Sequence, residues 1–297
     1  MNPKRTMTSK QRLLAAIHHE EPDLVPNCPR IWAYQMEQYG CIGWLQDLRS
    51  ADEFDYDPIV CIPSFLPTYL KADDLKLRRA PESMVELDVQ MRKSGESLRV
   101  TRRFLTPAGP LQDVTEYYPS GKTYGMLPSP HFVERLLKGP EDLERMKYLF
   151  FNPKDINIDE YHRIAEVIGD RGLLEVALYS ALDYKAGDAF GLEPLLMMTV
   201  DQPEFFKKIL DVFHDHTMEE TKAHLEGGVK MVFGTWFYAS LSSGWSPNIY
   251  REYFLPLLKE HVNLVHDYEA ITIFMMTGNA GIFCPYLQKQ EWISWRL

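Results

Sequence analysis

The chain has 297 residues, a formal net charge of −10, 45% hydrophobic and 25% charged residues, and four cysteines. An acidic chain with a pI near 5.4 is ill suited to nucleic acid or an anionic membrane surface, and no apolar run reaches the roughly 18 residues of a membrane helix. Cys28, Cys41, Cys61 and Cys284 form no C-x-x-C pair, so reduced thiols in a cytoplasmic protein are expected, not disulfides or a zinc knuckle.

Along the chain, MNPKRTMTSKQR has no apolar stretch behind its charges, so no secretory signal is expected. Thr8-x-x-Gln11 is a capping-box pattern that opens a helix with Leu13, Leu14 and Ile17 on one face. Val25–Ala33 reads as a first strand, with Arg30, Trp32 and Tyr34 near its carboxyl end. Asp57–Pro63 reads as a short buried strand between two prolines. The basic stretch Lys71–Arg103 is diluted by acids and reads as a solvated face.

Residues 98–124 carry two extended runs around Thr106-Pro107-Ala108-Gly109, the pattern of a hairpin arm. Helices are predicted from Pro140, over Ile158–Ile168, at Pro194–Val200 and over Pro203–Glu226. Strands are predicted at Gly172–Ala181, Lys230–Phe237 and Ile271–Met276. Between the last two, Ser246 caps a helix that opens at Pro247, with a kink expected near Leu255 because Pro256 lies inside it. Alternating strands and helices imply an α/β fold with a parallel sheet, and 297 residues suit one domain better than two.

Two blocks also carry a family resemblance. Ser246-Pro247, Tyr250-Arg251-Glu252, Phe254-Leu255-Pro256, Lys259, Val262 and Val265-His266 lead into a strand and Gly278-Asn279, and Thr8–Pro26 reads TSKQRLLAAIHHEEPDLVP. Both blocks resemble the uroporphyrinogen decarboxylase family, which includes cobamide-dependent methyltransferases; the likeness runs from about Thr8 to Gly281. It implies a TIM (β/α)8 barrel, one domain over residues 1–297, with the hairpin at about 98–124 as the insertion seen in the methyltransferase-like branch. After Gly281 the tail IFCPYLQKQEWISWRL, residues 282–297, departs from the family. One permitted back-translation, read two bases later, spells DFLPLFAETGVDILET, similar to the family's continuation. The expectation is therefore a single-base frameshift at Gly281, with a divergent natural carboxyl terminus as the alternative and three barrel strands unplaced.

The resemblance implies cofactor-free decarboxylation of a porphyrinogen-like carboxylate, with a protonated pyrrole as electron sink. Its alternative is methyl transfer involving a corrinoid, and a third reading is a non-catalytic binding protein. Where the zinc methyltransferases resemble H-x-C-G-N, this chain has Met275 and Thr277 in place of the ligands. Both are poor zinc ligands, so no metal and no cofactor are expected, a corrinoid entering only as substrate. The motif arginines of the decarboxylases, and their aspartate near Cys61–Ser64, are also absent.

From their places at strand ends, Asp183 and Tyr238 are the candidate catalytic residues. Arg30, Trp32, Tyr179, Trp236 and Asn279 are candidates for substrate binding: a cation for an acidic group, flat rings for a macrocycle, an amide for a hydrogen bond. His214, His216 and His224, and His18-His19, read as solvent-facing or capping. The expected partner is a small tetrapyrrole or corrinoid-like molecule. A homodimer is common in the family.

Overall fold

The computed structural model describes residues 5–65, 85–119, 130–235, 239 and 243–275. Its strands are β1 Ile59–Pro63, β2 Glu86–Ser94, β3 Ser97–Thr106, β4 Gly109–Tyr117, β5 Pro130–Glu134, β6 Leu173–Tyr179, β7 Met231–Thr235 and β8 Ile271–Met275. Its helices are α1 Ser9–Ile17, α2 Trp32–Tyr39, α3 Trp44–Phe54, α4 Pro140–Met146, α5 Asp159–Ile168, α6 Gly187–Phe190, α7 Leu192–Asp201, α8 Pro203–Glu226, α9 Pro247–Ile249 and α10 Leu255–Asp267.

Strands β1, β6, β7 and β8 form a parallel sheet in that order, with Cys61 beside Glu175, Ala177 beside Phe233 and Phe233 beside Ile273. Within the described residues this sheet is open, and a closed barrel is not reached. The strand expected at Val25–Ala33 does not form. Pro26 and Pro29 withhold two amide donors from any ladder, and Trp32 instead starts α2. The segment is tied to the head of β1 by other means: Asp57 N–H donates to the Asn27 carbonyl at 2.7 Å, and Asn27 N–H to the Asp57 carboxylate at 3.2 Å.

Local signals set several ends. Thr8 and Gln11 close a reciprocal capping box on α1, at 2.9 and 3.2 Å. Ser246 accepts the Ile249 N–H at 3.3 Å, with Pro247 in the first turn. The expected disturbance at Pro256 is a π-turn, Tyr250–Phe254, after which α10 restarts with the proline in its first turn. There the missing N–H costs no helical hydrogen bond.

The hairpin is part of something larger. β2 to β5 form a four-stranded antiparallel sheet, in which Thr106 pairs with Gly109 across Pro107-Ala108. The Thr106 hydroxyl donates to the Gly109 carbonyl at 2.7 Å and accepts the Ala108 N–H at 3.2 Å. Arg102, in the stretch read as a solvated face, is buried against Asp113, with a bond of 2.9 Å. Phe104 and Leu111 carry this sheet into the main core, which also holds Leu143, Phe206, Trp245 and Phe254.

The rings of Trp245 and Phe254 meet edge to face at 5.1 Å, and Phe206 lies 5.9 Å from Trp245. Phe206 is fully buried in this core. Phe206→Ala should therefore lower the unfolding free energy by about 3–5 kcal/mol, read from denaturant midpoints at unchanged slope.

Candidate functional site

Side chains of a strand alternate between its faces, and the parallel sheet uses the two faces differently. Val60, Ile62, Leu174, Val176, Leu178 and Val232 pack against Tyr161, Ile164 and Ile168 of α5, Leu225 of α8 and Val265 of α10. The opposite face begins with Ile59, Leu173, Met231 and Ile271 around Leu13 of α1. Two residues further toward the carboxyl ends, the same face presents Cys61, Glu175 and Phe233.

Glu175 is 0% exposed, and Arg30 reaches it from the segment before α2, donating from Nη2 to Oε1. The guanidinium lies 4.8 Å from the centroid of Phe233 and 5.3 Å from that of Trp32, a cation between two ring faces. Its side chain remains 31% exposed. The other oxygen of Glu175, Oε2, is buried with no hydrogen-bond partner. Burial pushes the Glu175 carboxyl up, while Arg30 acts to pull it back. Burial, helped by the Glu175 charge, pushes the Cys61 thiol up to about 12, so it stays protonated at neutral pH.

A second polar group lies at the same end of the sheet, on the helix side. Lys185, in the turn after β6, donates to Thr217 at 2.7 Å and to Glu220 Oε2 at 3.0 Å. Ser64, just past β1, donates to Glu220 Oε1. His224 Nε2 accepts the Phe65 N–H at 3.2 Å, so its proton sits on Nδ1 and is donated to the Glu220 carbonyl at 2.7 Å. Burial would raise the Glu220 carboxyl, but Lys185, neighbouring histidines and the Ser64 bond hold it at about 2.

His214 and His224, read as solvent-facing, are buried, because α8 is covered along this stripe by the sheet and α10. His214 contacts Glu260 at 3.0 Å, and His261 of α10 meets the Thr221 hydroxyl at 2.9 Å. His216 lies on Phe150 at 4.3 Å between ring centroids, and burial lowers it to about 4. His18 and His19 are exposed, as expected.

These shifts fix how stability follows pH. His261 is lowered by burial from 6.5 to about 3, so the unfolded chain binds the proton first as pH falls. Glu220 is lowered from 4.5 to about 2, and again the unfolded chain protonates first. Both contributions are complete above pH 6.5 and are lost on acidification, His261 between 6.5 and about 3, Glu220 between 4.5 and about 2. Thermal midpoints should fall across that range, and His261→Gln should flatten the upper part of the decline.

Of the sequence-predicted site residues, Arg30 and Trp32 come together over the sheet. Tyr179 ends β6 half-buried, its hydroxyl pushed up by burial and then by Cys61, Asp188, Glu220 and Asp183, so it remains a neutral donor. Asp183 is fully buried in the turn after β6, where its N–H donates to the Ser180 hydroxyl at 3.0 Å. Trp236, Tyr238, Thr277, Asn279, Cys284 and the tail 282–297 lie outside the described residues, and Met275 closes β8. Among the described residues, no three His, Cys, Asp or Glu side chains gather to hold a metal ion, Cys28, Cys41 and Cys61 are free, and no helix is long and apolar enough to cross a membrane. Sequence reasoning missed Glu175, Lys185, Glu220 and Ser64. The signal for Glu175 was a lone carboxylate inside the apolar strand GLLEVALYSA.

A parallel sheet with helices on its faces, and with charged and aromatic groups at its carboxyl ends, places the chain in the α/β class. Residues 184–292 match the family model described as Uroporphyrinogen decarboxylase (URO-D). No curated protein matches the sequence. In fold the chain is similar to a methyltransferase from Methanosarcina mazei, at 15% identity and a TM-score of 0.51, over 93% of this chain and 71% of that one.

Proposed function

We propose that the chain binds a tetrapyrrole-type macrocycle at the carboxyl ends of β1, β6 and β7, and acts on it in corrinoid-dependent methyl transfer. The observation that carries this reading is the Arg30 head, held between Trp32 and Phe233 with 31% of its side chain exposed. Flat rings and a cation suit a macrocycle whose rim bears oxygen acceptors. The methyltransferase from Methanosarcina mazei, similar in fold over 93% of this chain, favours the methyl-transfer arm. Met275 and Thr277 do not suit zinc, so zinc activation of a thiol at that motif forms no part of the proposal.

The family match favours a second reading, cofactor-free decarboxylation of a porphyrinogen-like carboxylate. There Arg30 holds a side-chain carboxylate, and Asp183 or Tyr238 supplies the proton. The binding roles expected of Trp236, Tyr179 and Asn279 serve either reading.

Incubating the purified chain with methylcobinamide and a thiol, and separately with uroporphyrinogen, separates the two. Loss of the cobalt–methyl absorbance supports methyl transfer, and partially decarboxylated porphyrins in the second mixture support the other reading. Binding without turnover in both identifies a non-catalytic ligand-binding chain. Arg30→Gln should weaken macrocycle binding by about tenfold or more, since a charge-assisted hydrogen bond is lost; tryptophan quenching on titration reads this directly.

A further inference from the structure

The antiparallel sheet ends on one side at β2, whose only neighbouring strand among the described residues is β3. Gly95-Glu96 form a two-residue turn between them, with Ser94 opposite Ser97, and the pair that flanks such a turn is hydrogen-bonded. Alternation along the ladder then commits the backbone of Glu86, Asp88, Gln90 and Arg92 to β3. Leu87, Val89, Met91 and Lys93 turn their N–H and C=O groups outward, toward no other strand among the described residues. A free edge of nine residues is a template for a further strand.

The side chains select the strand that fits. Asp88, Gln90 and Arg92 share one face of β2, and Leu87, Val89 and Met91 share the other. Reversed about Gln90, the strand is complementary to itself: Asp88 falls opposite Arg92, Val89 opposite Met91 and Leu87 opposite Lys93. In that register each outward backbone group meets another outward one. Within one chain Arg92 lies opposite Arg99, a like charge that already pairs with Glu116 at 3.5 Å. No acid among the described residues pairs with Arg92. Met91 is 49% exposed, an apolar side chain that Val89 of a second copy covers.

We propose that β2 is a self-association surface: two copies of the chain pair their β2 strands antiparallel about a two-fold axis at Gln90, which joins their four-stranded sheets into one, with Asp88 of each copy against Arg92 of the other. The occupant is a second copy because the order of charges along β2, acid before Gln90 and base after it, matches its own reverse.

Sedimentation velocity of the full chain over a concentration series should show a monomer–dimer equilibrium. Arg92→Asp sets two carboxylates together at two symmetry-related points, so it should raise the dissociation constant about tenfold or more, as should Asp88→Arg. Combining both exchanges restores opposite charges and should recover the dimer, which a loss through misfolding would not. Met91→Pro removes an outward N–H that β3 does not use, and should abolish pairing while circular dichroism still shows a folded chain. A monomer at every soluble concentration overturns the inference, and that result needs no variant. A dimer indifferent to Arg92→Asp and to Met91→Pro uses another surface and overturns it as well, as does a folded double exchange that stays monomeric. Assemblies that keep growing with concentration also overturn it, since a two-fold contact closes at two copies.

Discussion

One carboxylate fastens the working end of this molecule. Glu220 accepts from Ser64 beyond β1 and from Lys185 beyond β6, and the helix that carries it receives Phe65 through His224. The segments that leave two neighbouring strands are thereby fixed to α8, outside the sheet. Removing a carboxylate and an ammonium from water is costly, so the arrangement depends on every polar partner being in place. What it secures is position: strand ends that are otherwise free loops acquire a common rigid support.

The same physics, applied on the opposite face, gives the candidate site. Glu175 and Arg30 are again a carboxylate and a cation at the end of the sheet, but here the satisfaction is incomplete and the cation stays partly exposed. A closed network makes a brace, and an open one leaves charged groups partly exposed at the end of the sheet. The parity of β6 separates them, since Leu174, Val176 and Leu178 turn to the helices while Glu175 turns away.

Much of the fold was legible beforehand, and for local reasons. The α8 helix runs over the predicted Pro203–Glu226, and β1, β6, β7 and β8 each fall inside a predicted strand, because apolar runs bounded by Pro and Gly are signals carried within a few residues. Val25–Ala33 failed because its apolar residues outweighed Pro26 and Pro29 in the reading, although the backbone obeys the prolines. The hairpin arm was seen, but not the outer strands β2 and β5, whose pairing is made across the sheet.

The site divides in the same way. Arg30 and Trp32 were found from their neighbourhood in the chain, whereas Glu175 lies 145 positions from Arg30 and Ser64 lies 156 from Glu220. The sequence by itself determined the caps, the turns, the strand and helix periods and the residue types available, since these depend on neighbours along the backbone. Which carboxylate meets which cation, and which histidines of α8 are buried, was decided only by tertiary structure. Burial and charge pairing depend on distances in space, and the chain sets those only once it has folded.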